Sequence, residues 1–191
     1  MEEGEGELRL RGQAARRWAG VGLILGQALL DSGCEPRGSD PALVEPVLAA
    51  ADLEAVRTRL AAGGGVRVVN VWATWCQPCI EELPEFVALD AAHRERGIKV
   101  IGISMDLALA GDPTTIESRV RDFLRKQGIG YENLLYTGNV TSLLDALDLP
   151  GSIPYTLVIG GGGEVLWRHE GRTTRDRVEA ALGAHGGGDA R

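Results

Sequence analysis

The chain has 191 residues, of which 44% are hydrophobic and 25% charged, a balance typical of a globular domain. Its 20 basic and 27 acidic residues give a formal net charge of -7 at pH 7 without a long Lys/Arg run, which excludes the electrostatic footprint of a nucleic-acid-binding protein. Three cysteines are too few for a small fold that depends on disulfides.

Residues 1–34 have the order of a bacterial export signal. Arginines precede an apolar stretch from Trp18 to Leu30, and the small-residue run Ser32 to Cys34 follows it. The stretch is shorter than the roughly 20 apolar residues that span a bilayer, which favours cleavage or lipid anchoring over a spanning helix. We therefore interpret residues 1–34 as a signal or membrane-anchor segment, and expect an extracytoplasmic bacterial protein, membrane-anchored or periplasmic.

Cys34 ends the small-residue run after the apolar stretch, and in this respect it resembles the acylated cysteine of bacterial lipoproteins. The sequence departs from that pattern at Asp31, where lipoproteins have an apolar residue three positions before the cysteine. Two interpretations stay open: Cys34 is lipidated, or it is an ordinary thiol in the signal segment.

The folded part is predicted over residues 45–184. Residues 35–44 contain Pro and Gly without an apolar period and are predicted to form a flexible tether. Residues 185–191 include a glycine run and are predicted to be a disordered tail.

Helix and strand patterns alternate along the first half of the domain. Asp52 is a candidate N-cap for the first helix, and Pro84 is expected to kink the second helix. The predicted elements are a helix over Leu53 to Ala61, a buried strand over Val66 to Trp72, a helix over Cys76 to Arg94 and a buried strand over Ile98 to Ser104.

The second half ends in a hairpin and a helix. Its predicted elements are a helix over Thr114 to Lys126, a short edge element over Leu134 to Tyr136, a helix over Val140 to Leu147, strands over Tyr155 to Ile159 and Glu164 to His169, and a helix over Thr174 to Leu182. This order predicts an α/β fold with a mixed central β-sheet flanked by helices on both faces.

The motif that carries chemistry is WATWCQPC, residues 72–79, at a strand-to-helix junction. Cys76 lies at the helix N-terminus, where free amides and the helix dipole lower the pKa of a thiol and produce a reactive thiolate. Cys79 follows one turn later and can attack a mixed disulfide on Cys76. The spacing therefore predicts a nucleophilic and a resolving thiol.

Other roles for a C-x-x-C pair fit the sequence poorly. A structural zinc site needs two more ligands, but the third cysteine is the distant Cys34 and the three histidines have no paired spacing. Covalent haem attachment requires a histidine directly after the second cysteine, where this chain has Ile80. We expect no metal and no cofactor.

The run VNVWATWCQPCIEELP, residues 69–84, resembles the TlpA/ResA-like extracytoplasmic branch of the thioredoxin superfamily. The resemblance extends over about residues 44–183. It implies a thioredoxin fold and a protein-disulfide reductase whose substrates are disulfide-bearing exported proteins, often apocytochrome c before haem attachment. It also implies a membrane-bound thiol electron donor.

The same resemblance implies a proton-exchanging acid near the thiols. Asn70 stands six residues before Cys76, where cytoplasmic thioredoxins have a buried aspartate, so the acid must lie elsewhere. Glu82, three residues after Cys79 on the same helical face, matches the active-site glutamate of the branch. The alternative is that Glu82 is a solvated surface charge.

Ile153-Pro154, ahead of a predicted strand, matches the cis-proline of the superfamily. A cis peptide at this point exposes the Ile153 backbone to an extended substrate; the alternative is a proline with a purely structural role in a turn. Trp75 is expected to cover the site as an apolar substrate contact, and Trp72 to lie in the core.

Competing functions remain for this motif. A disulfide oxidase or isomerase would use the same residues, since the direction depends on the reduction potential. A thiol peroxidase would require threonine three residues before its reactive cysteine, where the chain has Ala73. An anchored copper carrier of thioredoxin fold stays an alternative, although it would normally add a histidine ligand and a longer cysteine spacing.

Overall fold

A computed structural model describes residues 44–185 of the chain. The predicted signal segment with Cys34, the predicted tether up to residue 43 and the predicted tail from residue 186 lie outside the described residues. Within residues 44–185, none of the helices is both long enough and apolar enough to cross a membrane.

The centre of the fold is a six-stranded mixed sheet with the order β1-β4-β3-β2-β5-β6. Neighbouring strands from β1 to β2 run parallel, whereas β5 is antiparallel to β2 and β6 to β5. The strands are β1 (Leu48–Ala51), β2 (Arg67–Trp72), β3 (Lys99–Ser104), β4 (Glu132–Tyr136), β5 (Tyr155–Ile159) and β6 (Val165–Glu170).

Five α-helices connect or follow these strands. Asp52 caps α1 as predicted, its carboxylate accepting the Ala55 N–H at 2.9 Å. Helix α2 continues through Pro84 without interruption. The helices are α1 (Leu53–Ala61), α2 (Gln77–His93), α3 (Pro113–Lys126), α4 (Val140–Leu147) and α5 (Arg175–His185).

The helices cover both faces of the sheet. The steps from β2 through α2 to β3 and from β3 through α3 to β4 run in one direction across the sheet, whereas the step from β1 through α1 to β2 runs in the other. Because parallel connections are right-handed, α2 and α3 lie on one face and α1 on the opposite face. Every residue of β2 is buried, as this arrangement requires. The predicted mixed sheet with two covered faces is confirmed.

The prediction of an edge element over Leu134 to Tyr136 is wrong. This segment belongs to β4, which lies inside the sheet because β1 pairs with its outer side. Strand β1 was missed because its sequence, LAAA, has no β-branched or aromatic residue. Three alanines satisfy the pairing through their backbone alone.

The core beneath the junction of β2 and α2 is fixed by Trp72. Its ring packs 5.5 Å from the Phe123 ring, and its indole N–H donates to Asn133 Oδ1 at 3.0 Å. A side chain on Gly102 of β3 would collide with both partners of this hydrogen bond. Trp72 is fully buried and is a core residue, as predicted.

Candidate active site

Cys76 and Cys79 lie between the end of β2 and the first turn of α2, and a disulfide joins them, with their Cα atoms 5.3 Å apart. Cys76 is the N-cap of α2, and its sulfur accepts the Cys79 N–H at 3.3 Å. Cys79 is fully buried, whereas Cys76 keeps 6% of its surface. A thiol or disulfide from outside therefore reaches Cys76 first.

The first turn of α2 favours a negative charge on Cys76. Residues 77–80 include no acidic side chain, and Pro78 stands at the helix start, where a missing N–H costs little. The remaining free amides and the helix dipole place partial positive charge at this end. In the reduced protein these groups stabilise a Cys76 thiolate.

The loop before β5 lies next to the outer sulfur. The Ile153–Pro154 peptide bond is cis, and the Ile153 carbonyl oxygen lies 3.8 Å from Cys76 Sγ. Trp75, adjacent to Cys76, is 47% exposed. Apolar surface and peptide backbone therefore border the reactive pair, an arrangement suited to an extended polypeptide.

Glu82 lies one turn beyond Cys79 and is only 1% exposed, so its interpretation as a solvated surface charge is wrong. Its carboxylate accepts Asn70 Nδ2 at 2.7 Å and the Thr173 N–H at 2.9 Å. Burial raises the pKa of Glu82 to about 7, although both hydrogen bonds and the nearby Arg172 favour the anion. Near neutral pH the side chain therefore populates both protonation states.

The partners of Glu82 have hydrogen-bonding capacity to spare. Among residues 44–185, Asn70 Oδ1 and Thr173 Oγ1, which belong to the two partners of Glu82, are buried without a protein partner. So is the Tyr131 hydroxyl, which has no hydrogen bond to Glu82. Burial, with the charge of Glu82 adding to it, raises the pKa of Tyr131, which stays neutral. Because an amide both donates and accepts, Asn70 can bond either protonation state of Glu82 by turning over.

Carboxylates of α2 also bind the segment that leads into α5 and the first residue of that helix. Glu81 pairs with Arg172 at 2.6 Å, and Glu85 accepts the Arg175 N–H at 3.0 Å, on either side of the Thr173 contact. The sequence alone does not predict this contact, because Thr173 is 91 residues from Glu82 and no local motif marks it.

Metal-ligating side chains are not gathered at the site. No group of three or more His, Cys, Asp or Glu residues within residues 44–185 is placed to hold a metal ion. His93, buried at the end of α2, contacts Glu179 at 2.9 Å.

Comparison with known proteins gives concordant matches. The AhpC/TSA family model matches residues 45–168. Thiol-disulfide oxidoreductase ResA of Halalkalibacterium halodurans is 29% identical over 126 residues, 66% of this chain and 65% of the relative. ResA of Bacillus cereus is 28% identical over 139 residues, 72% and 73% of the two chains. The crystal structure of a thiol:disulfide interchange protein of the thioredoxin family from Chlorobium tepidum matches with a TM-score of 0.52 and 24% identity, over 66% of this chain and 82% of that chain.

The solved structure supports a conclusion about the fold, and the family model supports one about the family. The chain spans less than two thirds of the length of the Halalkalibacterium relative. The likeness to the Chlorobium structure concerns the fold, and it confirms the predicted thioredoxin fold. The family model covers more than half of the chain, from just before β1 into β6, and includes both cysteines. The chain therefore belongs to the AhpC/TSA family.

Proposed function

We propose that this protein is an extracytoplasmic thiol–disulfide oxidoreductase that reduces disulfides in exported proteins. The observation that carries the proposal is the Cys76–Cys79 disulfide at the start of α2, with its outer sulfur 3.8 Å from the Ile153 carbonyl oxygen. The activity named for the ResA relatives supports the same chemistry.

Cys76 is the nucleophile and Cys79 the resolving thiol. In the reduced protein, the Cys76 thiolate attacks a substrate disulfide, forms a mixed disulfide and displaces one substrate thiolate. Cys79 then attacks the Cys76 sulfur and displaces the second substrate thiolate. The substrate gains two electrons and the enzyme is left with its own disulfide. A membrane-bound thiol donor returns the two electrons by the same exchange in reverse.

Glu82 exchanges the proton of Cys79. The resolving thiol must lose a proton before it attacks, and a carboxylate whose pKa is about 7 is matched to that task near neutral pH. Trp75, Ile153 and Pro154 bind the substrate: Trp75 offers apolar contact and the Ile153 backbone pairs with an extended segment.

The N-terminal part places this domain at its substrates. Residues 1–34 act as a signal or membrane anchor, with Cys34 as the lipidation site, and residues 35–44 act as the tether. The resemblance of residues 69–84 to the TlpA/ResA-like branch supports a role of the cytochrome c maturation type, with apocytochromes among the substrates. The order of basic, apolar and small residues in the chain supports the location.

Trapping of the mixed disulfide tests the mechanism. In a Cys79→Ser variant the second step is blocked, so a substrate with one disulfide should stay bound to Cys76 as an adduct that dithiothreitol releases. Cys76→Ser is the matched control and should form no adduct. If Cys76→Ser forms the adduct and Cys79→Ser does not, the two roles are reversed.

The reduction potential of the pair tests the direction. A value near that of thioredoxin, about -270 mV, is expected for a reductant. A value near -120 mV, like that of a strong oxidant, would assign the protein to disulfide formation instead.

A further inference from the structure

A second buried carboxylate lies beside the active-site loop. Asp106 follows β3 and is almost fully buried. Its two oxygens each accept the Thr74 N–H at 3.2 Å, and the Thr74 hydroxyl donates to the same carboxylate. The Ser104 hydroxyl donates to it at 2.7 Å. Asp106 therefore joins the end of β3 to the loop that precedes Cys76.

Thr74 belongs to the turn that leads into α2. The Cys76 N–H donates to the Ala73 carbonyl at 3.1 Å and closes this turn. Burial does little to hold the outer part of the turn, since Trp75 is half exposed and Thr74 is only partly buried. The bonds to Asp106 are charge-assisted and therefore strong for hydrogen bonds.

We propose that Asp106 is a positioning residue for the nucleophile, acting through Thr74. The inference rests on the proposed function, in which Cys76 attacks the substrate. By holding Thr74, the carboxylate keeps Cys76 Sγ close to the Cys79 N–H at 3.3 Å and to the Ile153 carbonyl at 3.8 Å. The first contact stabilises the thiolate, and the second places it at the surface that receives the substrate.

Removal of Asp106 would change the charge around the loop as well as the support of Thr74, so it does not test positioning by itself. A nearby anion opposes ionisation of a thiol, whereas a fixed loop promotes it, so loss of the carboxylate changes both effects at once. Thr74→Val removes the hydroxyl bond, leaves the charge of Asp106 in place and keeps the volume of the side chain. The Thr74 variants therefore isolate positioning from charge.

The chain provides a matched control pair. At the start of α3, Thr115 donates its N–H and its hydroxyl to Asp112 at 2.8 Å and 2.7 Å, as Thr74 does to Asp106, although here one carboxylate oxygen accepts both. This pair lies at a different helix and is exposed. Thr115→Val removes an equivalent hydrogen bond away from the cysteines.

The experiment measures alkylation of Cys76 by iodoacetamide near neutral pH in the reduced full-length protein, with Cys76 followed by peptide mass spectrometry. Thr74→Val should slow alkylation of Cys76 about tenfold, because a displaced thiol loses part of its thiolate stabilisation. Thr115→Val should leave this rate unchanged. Thr74→Ser, which restores the hydroxyl, should bring the rate back to within about twofold of the natural protein.

Thr74→Ala covers the case in which valine next to a buried carboxylate prevents folding, since alanine fits any space that threonine occupies. The inference is overturned if a folded Thr74→Val or Thr74→Ala protein is alkylated at the natural rate, or if Thr115→Val slows the reaction equally. Alkylation needs no substrate, so it stays separate from the proposed function. That function fails instead if the natural protein cannot reduce a protein disulfide.

Discussion

Helices α2 and α3 begin with the same hydrogen bond but with different capping atoms. At α3, the Asp112 carboxylate accepts the N–H three residues on at 2.8 Å. At α2, Cys76 sulfur accepts the corresponding N–H at 3.3 Å. Both helices carry proline in the first turn. The same local geometry therefore serves stability in one helix and sulfur chemistry in the other.

The difference lies in which group supplies the negative charge. At α3 the negative charge is the Asp112 carboxylate. The hydrogen bond from the Thr115 hydroxyl, and to a smaller extent that from the Thr115 N–H, lowers the pKa of Asp112. The first turn of α2, residues 77–80, has no acidic residue, so the positive end of that helix remains available to a thiolate. Asp112 is therefore a strong helix cap that does not react, whereas Cys76 is a weaker cap whose sulfur can react.

Replacement of the reactive cap should have the largest effect. Cys76→Ser keeps a good N-cap and hence the helix, but an alcohol is a far weaker nucleophile than a thiolate. We expect insulin-disulfide reduction to fall by about 1000-fold or more, with circular dichroism unchanged. Cys34→Ser is the control and should keep full turnover in detergent-solubilised protein. Retained turnover in Cys76→Ser would remove the special role of this cap.

The next prediction concerns Glu82, the acid that lies one turn beyond Cys79 instead of at the cap of α2. In the folded protein Glu82 keeps its proton up to about pH 7, whereas the unfolded chain releases it near its ordinary pKa of 4.5. Between these values the folded state binds more protons than the unfolded state, so the free energy of unfolding falls as pH rises. The full loss is on the order of 3 kcal/mol.

Urea unfolding of the disulfide form at pH 5 and pH 8 measures this effect. Relative to the natural protein, Glu82→Gln should be more stable at pH 8 than at pH 5, because glutamine has no charge to bury. Glu85→Gln is the matched control, since Glu85 is partly exposed and should leave the pH dependence unchanged. A pH dependence that persists in Glu82→Gln would assign the loss of stability to another group.

The same variant should slow the resolving step about a hundredfold near neutral pH. In the proposed mechanism the ionised form of Glu82 accepts the Cys79 proton, so release of substrate from the mixed disulfide should rise with pH around a midpoint of about 7. In Glu82→Gln the midpoint should move above about 8, towards the pKa of an unassisted thiol. Stopped-flow measurement of substrate release gives both values. An unchanged profile would show that Glu82 does not exchange this proton.

The first helix shows what the sequence predicts well, since its cap Asp52 was predicted and is observed. Caps, helix periods and the C-x-x-C spacing are local, and the predicted bounds of α1 agree with the structure at both ends. The miss of β1 has a local cause too, since three alanines carry no strand signal. That miss led directly to the wrong edge position of Leu134 to Tyr136.

The hydrogen-bond partners of the site residues are harder to predict from the sequence, because they come from distant parts of the chain. The Glu82 position follows from its spacing to Cys79, but its raised pKa depends on burial, which the spacing alone does not determine. Thr173 reaches it from 91 residues away, and Asp106 reaches Thr74 from 32. Asp106 had one available signal: it follows a parallel strand at the carboxyl end of the sheet, where functional residues gather.

The smallest effect is expected at Asp112, the N-cap of α3. Asp112→Ala removes the carboxylate that accepts the Thr115 N–H, so the first turn of α3 loses its cap while the rest of the helix keeps its packing through Ile116 and Val120. We expect Tm to fall by about 3 °C in differential scanning calorimetry, with disulfide reduction unchanged. Asp112→Asn, which still caps, should recover most of the loss. A drop in reductase activity at unchanged Tm would mean that the start of α3 takes part in the reaction, and the division between a stabilising and a reactive helix start would no longer hold.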